Sequence, residues 1–172
     1  MNQDPEQRGL PEKADAFPLP IGPFLPHAPP MLCLDSLLRA SESAAEAEVV
    51  LGPGHILLHE GLLCGAGYAE LAAQTAGAMK GYAESRAKGD TGGSQTSPGL
   101  GFLAAVQDFS VMGEARAGDT LRIRVGLRAE AAGVRLLEAE IYRVRDDAPS
   151  EILACGKLKV VVPEDIPGIP AG

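Results

Sequence analysis

The sequence lacks a C-x-x-C pair, a cluster of lysines and arginines with interleaved aromatics, and a basic or apolar leader at its start. Its three cysteines, Cys33, Cys64 and Cys155, are odd in number and widely spaced. That spacing fits reduced thiols in a cytosol rather than a disulfide framework, and it argues against zinc, so no metal site is expected. The 23 acidic and 15 basic residues leave a formal charge of -8. With no basic patch to interrupt that acidity, neither nucleic acid nor an anionic membrane surface is an expected partner. The opening MNQDPEQRGLPEKADAF is polar and acidic, so nothing in it directs export and the expected location is cytoplasmic.

What the chain does have is a long run of small and apolar residues. From Gly61 to Met79 it reads GLLCGAGYAELAAQTAGAM, and the only formally charged residue there is Glu70. Burying a lone carboxylate is costly unless it finds a partner, so Glu70 is a candidate for proton chemistry. Glu70 and Gln74 at the middle of the run disfavour membrane insertion, so a buried helix is expected and not a membrane span. At about 100° per residue, Tyr68, Leu71, Ala72, Thr75, Met79 and Tyr82 fall on one side, with Glu70, Gln74, Gly77 and Gly81 opposite. Both sides are small or apolar. The helix should therefore be covered all round, by a sheet on one face and most simply by a second subunit on the other.

Length and a 45% hydrophobic composition predict one domain with one substantial core. Residues 1–18 read as a disordered tail, 19–163 as the domain and 164–172 as a second tail. PLPIGPFLPHAPPM (18–31) is too rich in proline for an interior helix or strand and should be an extended lead-in. Two short strands, LCLDSLLRA and AEAEVVLG, follow around SESA. After the helix, TGGSQTSPG (91–99) reads as a flexible loop. GFLAAVQDFSVMG is then one strand or a bent pair. LRIRVGLRAE alternates strictly, placing Leu121, Ile123, Val125, Leu127 and Ala129 on one face. VRLLEAEIYRVR and ILACGKLKVVV close the series after Gly-containing or DDAPS turns. The order predicts an α+β fold, one long central helix wrapped by a curved antiparallel sheet of about five to six strands.

Three motifs in that order resemble the hotdog-fold 3-hydroxyacyl-acyl carrier protein dehydratases and their dehydratase-like relatives. LPHAPPMLCLD (25–35) resembles the family's Leu-Pro-His-Arg-x-Pro-Met/Phe-Leu-Leu-x-Asp opening. Glu70-Leu-Ala-Ala-Gln74 is similar to the Glu-x-x-Ala-Gln of the central helix, and Gly118-Asp119-Thr120-Leu121 to the Gly-Asp-x-Leu that starts a core strand. The resemblance implies a hotdog dimer, homo- or heteromeric, whose sheets run together and whose acyl-pantetheine substrate, on acyl carrier protein or coenzyme A, lies in a tunnel between subunits. It implies no cofactor. It also implies a catalytic pair of His from one chain and Glu from the other, the His taking the C2 proton and the Glu protonating the departing 3-hydroxyl. Glu70 takes the acid role and Gln74 supports it, with backbone N–H groups at the helix start holding the thioester carbonyl; Gly65 and Gly67 there would either let that oxygen approach the backbone closely or merely permit tight helix packing.

The family's Gly-His-Phe-Pro-Gly is replaced here by His55-Ile-Leu-Leu-His59-Glu60-Gly61. His59 is the candidate base, a few residues closer to Glu70 than the family histidine; His55 is more in keeping with a loop role, and His27 with packing near the sheet edge. The shortened segment resembles a dehydratase-like subgroup associated with aryl polyene and related polyketide or fatty acid clusters, some members of which lack the histidine. Two alternatives stay open: a non-catalytic accessory subunit that pairs with an active dehydratase, and a hotdog thioesterase in which the helix carboxylate activates water. Cys64 near the helix start is a minor candidate nucleophile. Arg116, Arg122 or Arg124 are candidates for docking an acidic carrier protein.

Overall fold

The structure, a computed structural model, describes residues 16–88 and 101–162. The tail expected at 164–172, the loop expected at 91–99 and all but residues 16–18 of the tail expected at 1–18 lie outside them. The described elements are β1 (Leu19–Pro20), a single 3-10 turn (Gly22–Phe24), β2 (Ser36–Ala40), β3 (Ala44–Val50), β4 (Leu58–His59) and β5 (Leu62–Leu63). They continue with α1 (Gly65–Ala87), β6 (Phe102–Val111), β7 (Thr120–Ala131), β8 (Val134–Arg145) and β9 (Ala148–Val161). Seven strands form one sheet in the order β1-β2-β3-β7-β8-β9-β6, and β4 and β5 form a separate hairpin. This is the α+β arrangement expected, with one strand more than the five to six anticipated. The addition is β1, whose Pro20 cannot donate to a ladder and is admitted because β1 lies at the sheet edge.

Alternation in β7 places Leu121, Ile123 and Val125 in the core; it ends at a register shift between Leu127 and Ala129, beyond which Ala129 is exposed. The β8–β9 connection is shorter than the DDAPS turn expected. Asp146 and Asp147, at φ of 51° and 61°, make a two-residue hairpin turn whose twist matches the flanking strands, so β9 resumes at Ala148. β6 is one strand bent by two register shifts against β9.

Tyr68, Leu71, Ala72, Thr75 and Met79 of α1 are buried in one core with the inward residues of β2, β3, β7, β8 and β9. Full burial of each of the larger apolar side chains is worth about 1.5–3 kcal/mol. On the opposite side of the helix, the Gly77–Gly81 stretch is packed by the chain's own proline-rich lead-in. A Cβ on Gly77 would stand 3.0 Å from Leu25 Cδ2, and one on Gly81 would stand 2.9 Å from the carbonyl carbon of Phe24. The two glycines open a groove in the helix surface into which the lead-in settles. Phe17 and Phe24 complete the cover by packing on Tyr82, with ring centroids 5.7 and 5.8 Å apart.

Tyr68 ties the start of α1 to the segment before β7. Its hydroxyl donates to the Gly113 carbonyl at 2.9 Å and accepts the buried Ala115 N–H at 2.8 Å. Tyr68→Phe leaves both backbone groups without that partner, an expected loss of about 1–3 kcal/mol in urea unfolding near neutral pH. Burial raises the pKa of Tyr68, while the Ala115 hydrogen bond opposes the rise. The folded pKa therefore lies above the unfolded one, and the hydroxyl's contribution is complete below about pH 10 and is lost as pH climbs through the folded pKa. The stability gap between parent and Tyr68→Phe should accordingly narrow in alkali.

Candidate functional site

Between α1, the lead-in and the strands β6, β8 and β9 lies a cavity of about 230 Å³. Leu25, Met79, Leu137, Val160 and Val162 give it apolar walls, while Phe102 and Leu103 bring the start of β6 to its side. The polar residues that line it are His27, Glu70, Gln74, Lys80 and Arg135. Both cations already have carboxylate partners, Lys80 with Glu84 and Arg135 with Glu130. An apolar pocket with a few convergent polar groups is the usual form of a small-molecule site.

Glu70 and Gln74, four residues apart on one helix, face the same way and are bonded to each other. Gln74 Nε2 donates to Glu70 Oε1 and to the Met31 carbonyl, each at 2.8 Å, and Gln74 Oε1 accepts the Cys33 N–H at 2.9 Å. Gln74 is 1% exposed, and all its polar atoms are engaged, so only one orientation of the amide satisfies the site. With Oε1 of Glu70 already accepting a hydrogen bond, a carboxylic proton on Glu70 belongs to Oε2. The chain of bonds continues to His55, whose Nε2 lies 3.1 Å from the Cys33 carbonyl and whose Nδ1 accepts the Leu57 N–H at 3.3 Å. This assigns the His55 proton to Nε2 and leaves both ring nitrogens occupied by backbone.

The remaining candidates separate from the cavity. His59 is exposed on β4 and is not among the cavity walls. A hairpin with Glu60 and Gly61 at positive φ carries it, a feature that two-residue strands do not announce in sequence. Gly65 is exposed and a Cβ there meets nothing, whereas Gly67 is buried, its N–H is donated to the Cys64 carbonyl, and a Cβ would press on Leu63 Cδ1 at 2.7 Å. Gly67 is thus explained by helix–hairpin packing, and Gly65 is not. The sequence assigned His27 only to packing, yet it shares the cavity with Glu70, and its Nδ1 is buried without a hydrogen-bond partner. Only the register of the lead-in along α1 brings it there.

Residues 19–169 match the ApeP-like family, described as ApeP dehydratase. The chain belongs to the ApeP-like dehydratase family. None of the curated proteins matches the sequence. Among solved structures, the dehydratase heterocomplex ApeI:P from Xenorhabdus doucetiae is similar at 22% identity and a TM-score of 0.71, covering 84% of this chain and 91% of that one. The uncharacterized protein PH1136 from Pyrococcus horikoshii is 15% identical with a TM-score of 0.58, covering 84% and 94%. A hypothetical thioesterase protein solved with coenzyme A from Streptococcus pneumoniae TIGR4 is 12% identical with a TM-score of 0.52, covering 73% and 83%. At these identities the likenesses establish the fold, a single hotdog domain, and leave chemistry to the site.

Two sequence candidates lose their footing in this ApeP-like fold. Arg122 pairs with Glu48 at 2.8 Å and Glu46 at 3.6 Å, and Arg124 pairs with Glu46 at 3.3 Å while its guanidinium stacks 5.1 Å from the Tyr142 ring centre. These arginines neutralise the buried Glu46 and are not a free docking patch. The cysteines differ in kind. Burial pushes the Cys33 thiol up, with the charge of Glu70 adding to the effect and the Gln74 contact opposing it. Cys64 is exposed at the start of α1, outside the cavity walls. Iodoacetamide should label Cys64 in the folded protein and Cys33 only after unfolding, as read by peptide mass spectrometry. Among the described residues no helix is long and apolar enough to cross a membrane.

Proposed function

We propose that this ApeP-like chain takes 3-hydroxyacyl thioesters, on acyl carrier protein or coenzyme A, and dehydrates them with Glu70 as the acid. The observation that carries the reading is Glu70 at the wall of a largely apolar cavity, with one oxygen held by Gln74. In this reaction a base removes the C2 proton and the electron pair forms the C2–C3 double bond. The C3–oxygen bond breaks as Oε2 of Glu70 passes its proton to the hydroxyl, which leaves as water. The proposed base is His59, and its exposed position outside this cavity suits it to serve Glu70 of a partner subunit. The open backbone at Gly65 is the proposed holder of the thioester oxygen.

The proposed partner is a hotdog subunit, a second copy or a relative, that adds to the sheet at β6. That strand is an edge among the described residues, and Phe102 and Val111 at its ends are 54% and 48% exposed. Phe102 and Leu103 also line the cavity, so a subunit docked on β6 would lie against the cavity wall.

The accessory reading is favoured by one specific observation: His55 is tied to backbone and His59 is exposed outside the cavity. In it, the chain binds the acyl thioester and the partner carries the chemistry. Turnover of a 3-hydroxyacyl thioester by a mixture of this chain with a hotdog dehydratase partner separates the two. Loss of that turnover on Glu70→Gln supports catalysis by this chain, and unchanged turnover supports the accessory role.

A further inference from the structure

All three histidines of the sequence fall within the described residues, and they are not equivalent. His55 has both nitrogens engaged by its own backbone, His59 is exposed outside the cavity, and His27 is half-buried in the cavity wall with Glu70. His27 Nδ1 is buried and has no partner. A buried N–H without an acceptor is rarer and harder to tolerate than an acceptor with an unused lone pair. The tautomer that avoids it leaves Nδ1 bare and puts the proton on Nε2, making that nitrogen a donor. Within one chain, the lining of the cavity then offers a carboxyl at Glu70, oriented by Gln74, and an N–H donor at His27.

We infer that His27 is a specificity-determining residue: its Nε2–H donates to the oxygen on C3 of the bound acyl chain, so the cavity selects hydroxylated chains over saturated ones. This rests on the proposal that the cavity takes 3-hydroxyacyl thioesters. A C3 hydroxyl oxygen has two lone pairs, one for the His27 donor and one for the proton of Glu70, and both interactions favour departure of that oxygen as water. A saturated chain fills the same apolar volume and leaves the two polar groups unmatched, which is where the discrimination arises. His27 has no part in removing the C2 proton in this scheme.

The test is binding, not turnover, so an inactive or accessory chain still reports on it. Soluble N-acetylcysteamine thioesters of a 3-hydroxyacyl chain and of the saturated chain of the same length are titrated into the full-length protein, with its partner subunit if one co-purifies. The expected preference for the hydroxylated chain is about three- to tenfold. His27→Phe should bring the ratio close to one while affinity for the saturated chain is kept, and His27→Gln, which retains a donor, should restore part of it. Thermal midpoints of both variants identify any that misfold, in which case the His27→Gln ratio decides. A ratio unchanged in a folded His27→Phe overturns the role of His27 alone. Binding of neither thioester overturns the acyl-thioester reading together with it.

Discussion

Glu70→Gln is expected to lower 3-hydroxyacyl dehydration by about 10²- to 10⁴-fold, the range for removal of a positioned general acid. The substitution is nearly isosteric, and its side-chain oxygen can still accept the hydrogen bond that Gln74 Nε2 now gives to Oε1. What it removes is the transferable proton at the other oxygen. Folding should therefore change little, and binding of the thioester should survive while kcat falls. The pairing of intact stability with lost turnover is the informative outcome, because Gln74 also anchors Met31 and Cys33 of the lead-in. A variant that disturbed Gln74 would lose structure and chemistry together. Kinetics with saturating thioester and thermal unfolding of the same preparation check both halves.

A large effect on stability is expected from Gly81→Ala. Alanine is favoured over glycine in a helix interior by about 0.8–1.0 kcal/mol, so in isolation the change would stabilise α1. Here the new Cβ would stand 2.9 and 3.1 Å from the carbonyl carbon and Cα of Phe24, with the carbonyl oxygen closer still. These are backbone atoms and cannot rotate away as a side chain would. The lead-in must lift, loosening Phe24 and Leu25 from the core and Phe24 from Tyr82. Overpacking of this kind costs about 1–3 kcal/mol or more before that loss of contact is added. The net expectation is a loss of about 2 kcal/mol, or roughly 4–8 °C in thermal midpoint. Gly126→Ala, where a Cβ meets nothing, is the control and should be close to neutral. Because Leu25 and His27 line the cavity, Gly81→Ala should also weaken thioester binding.

The sequence was most legible where a local period or spacing carries the information. Alternation from Leu121 to Val125 identified the half-buried strand, and the four-residue spacing of Glu70 and Gln74 placed them side by side on one helix face. The motif order pointed to the family. What was hidden depends on contacts between segments far apart in the chain. Nothing local in LPHAPP says that this lead-in will lie in the groove of Gly77 and Gly81, and so nothing local brings His27 to Glu70's cavity. The pairing of Arg122 and Arg124 with Glu46 and Glu48 likewise depends on the register of β3 against β7, which alternation within one strand does not supply. Leu58–His59 and Leu62–Leu63 are too short to show a period, so the run from Gly61 reads as helix throughout, whereas Leu62–Leu63 closes the hairpin that carries His59 and the helix starts only at Gly65.

Product analysis tests the central claim most directly. The full-length chain, alone and mixed with a hotdog partner subunit, is incubated with a 3-hydroxyacyl thioester on acyl carrier protein, and the products are read by mass spectrometry. The predicted result is the enoyl thioester, formed by loss of one water and absent when Glu70→Gln replaces the parent chain. Release of free acid and carrier thiol without enoyl product would mark a thioesterase and contradict dehydration. Enoyl product formed at the parent rate with Glu70→Gln would equally contradict the assignment of the acid to this chain.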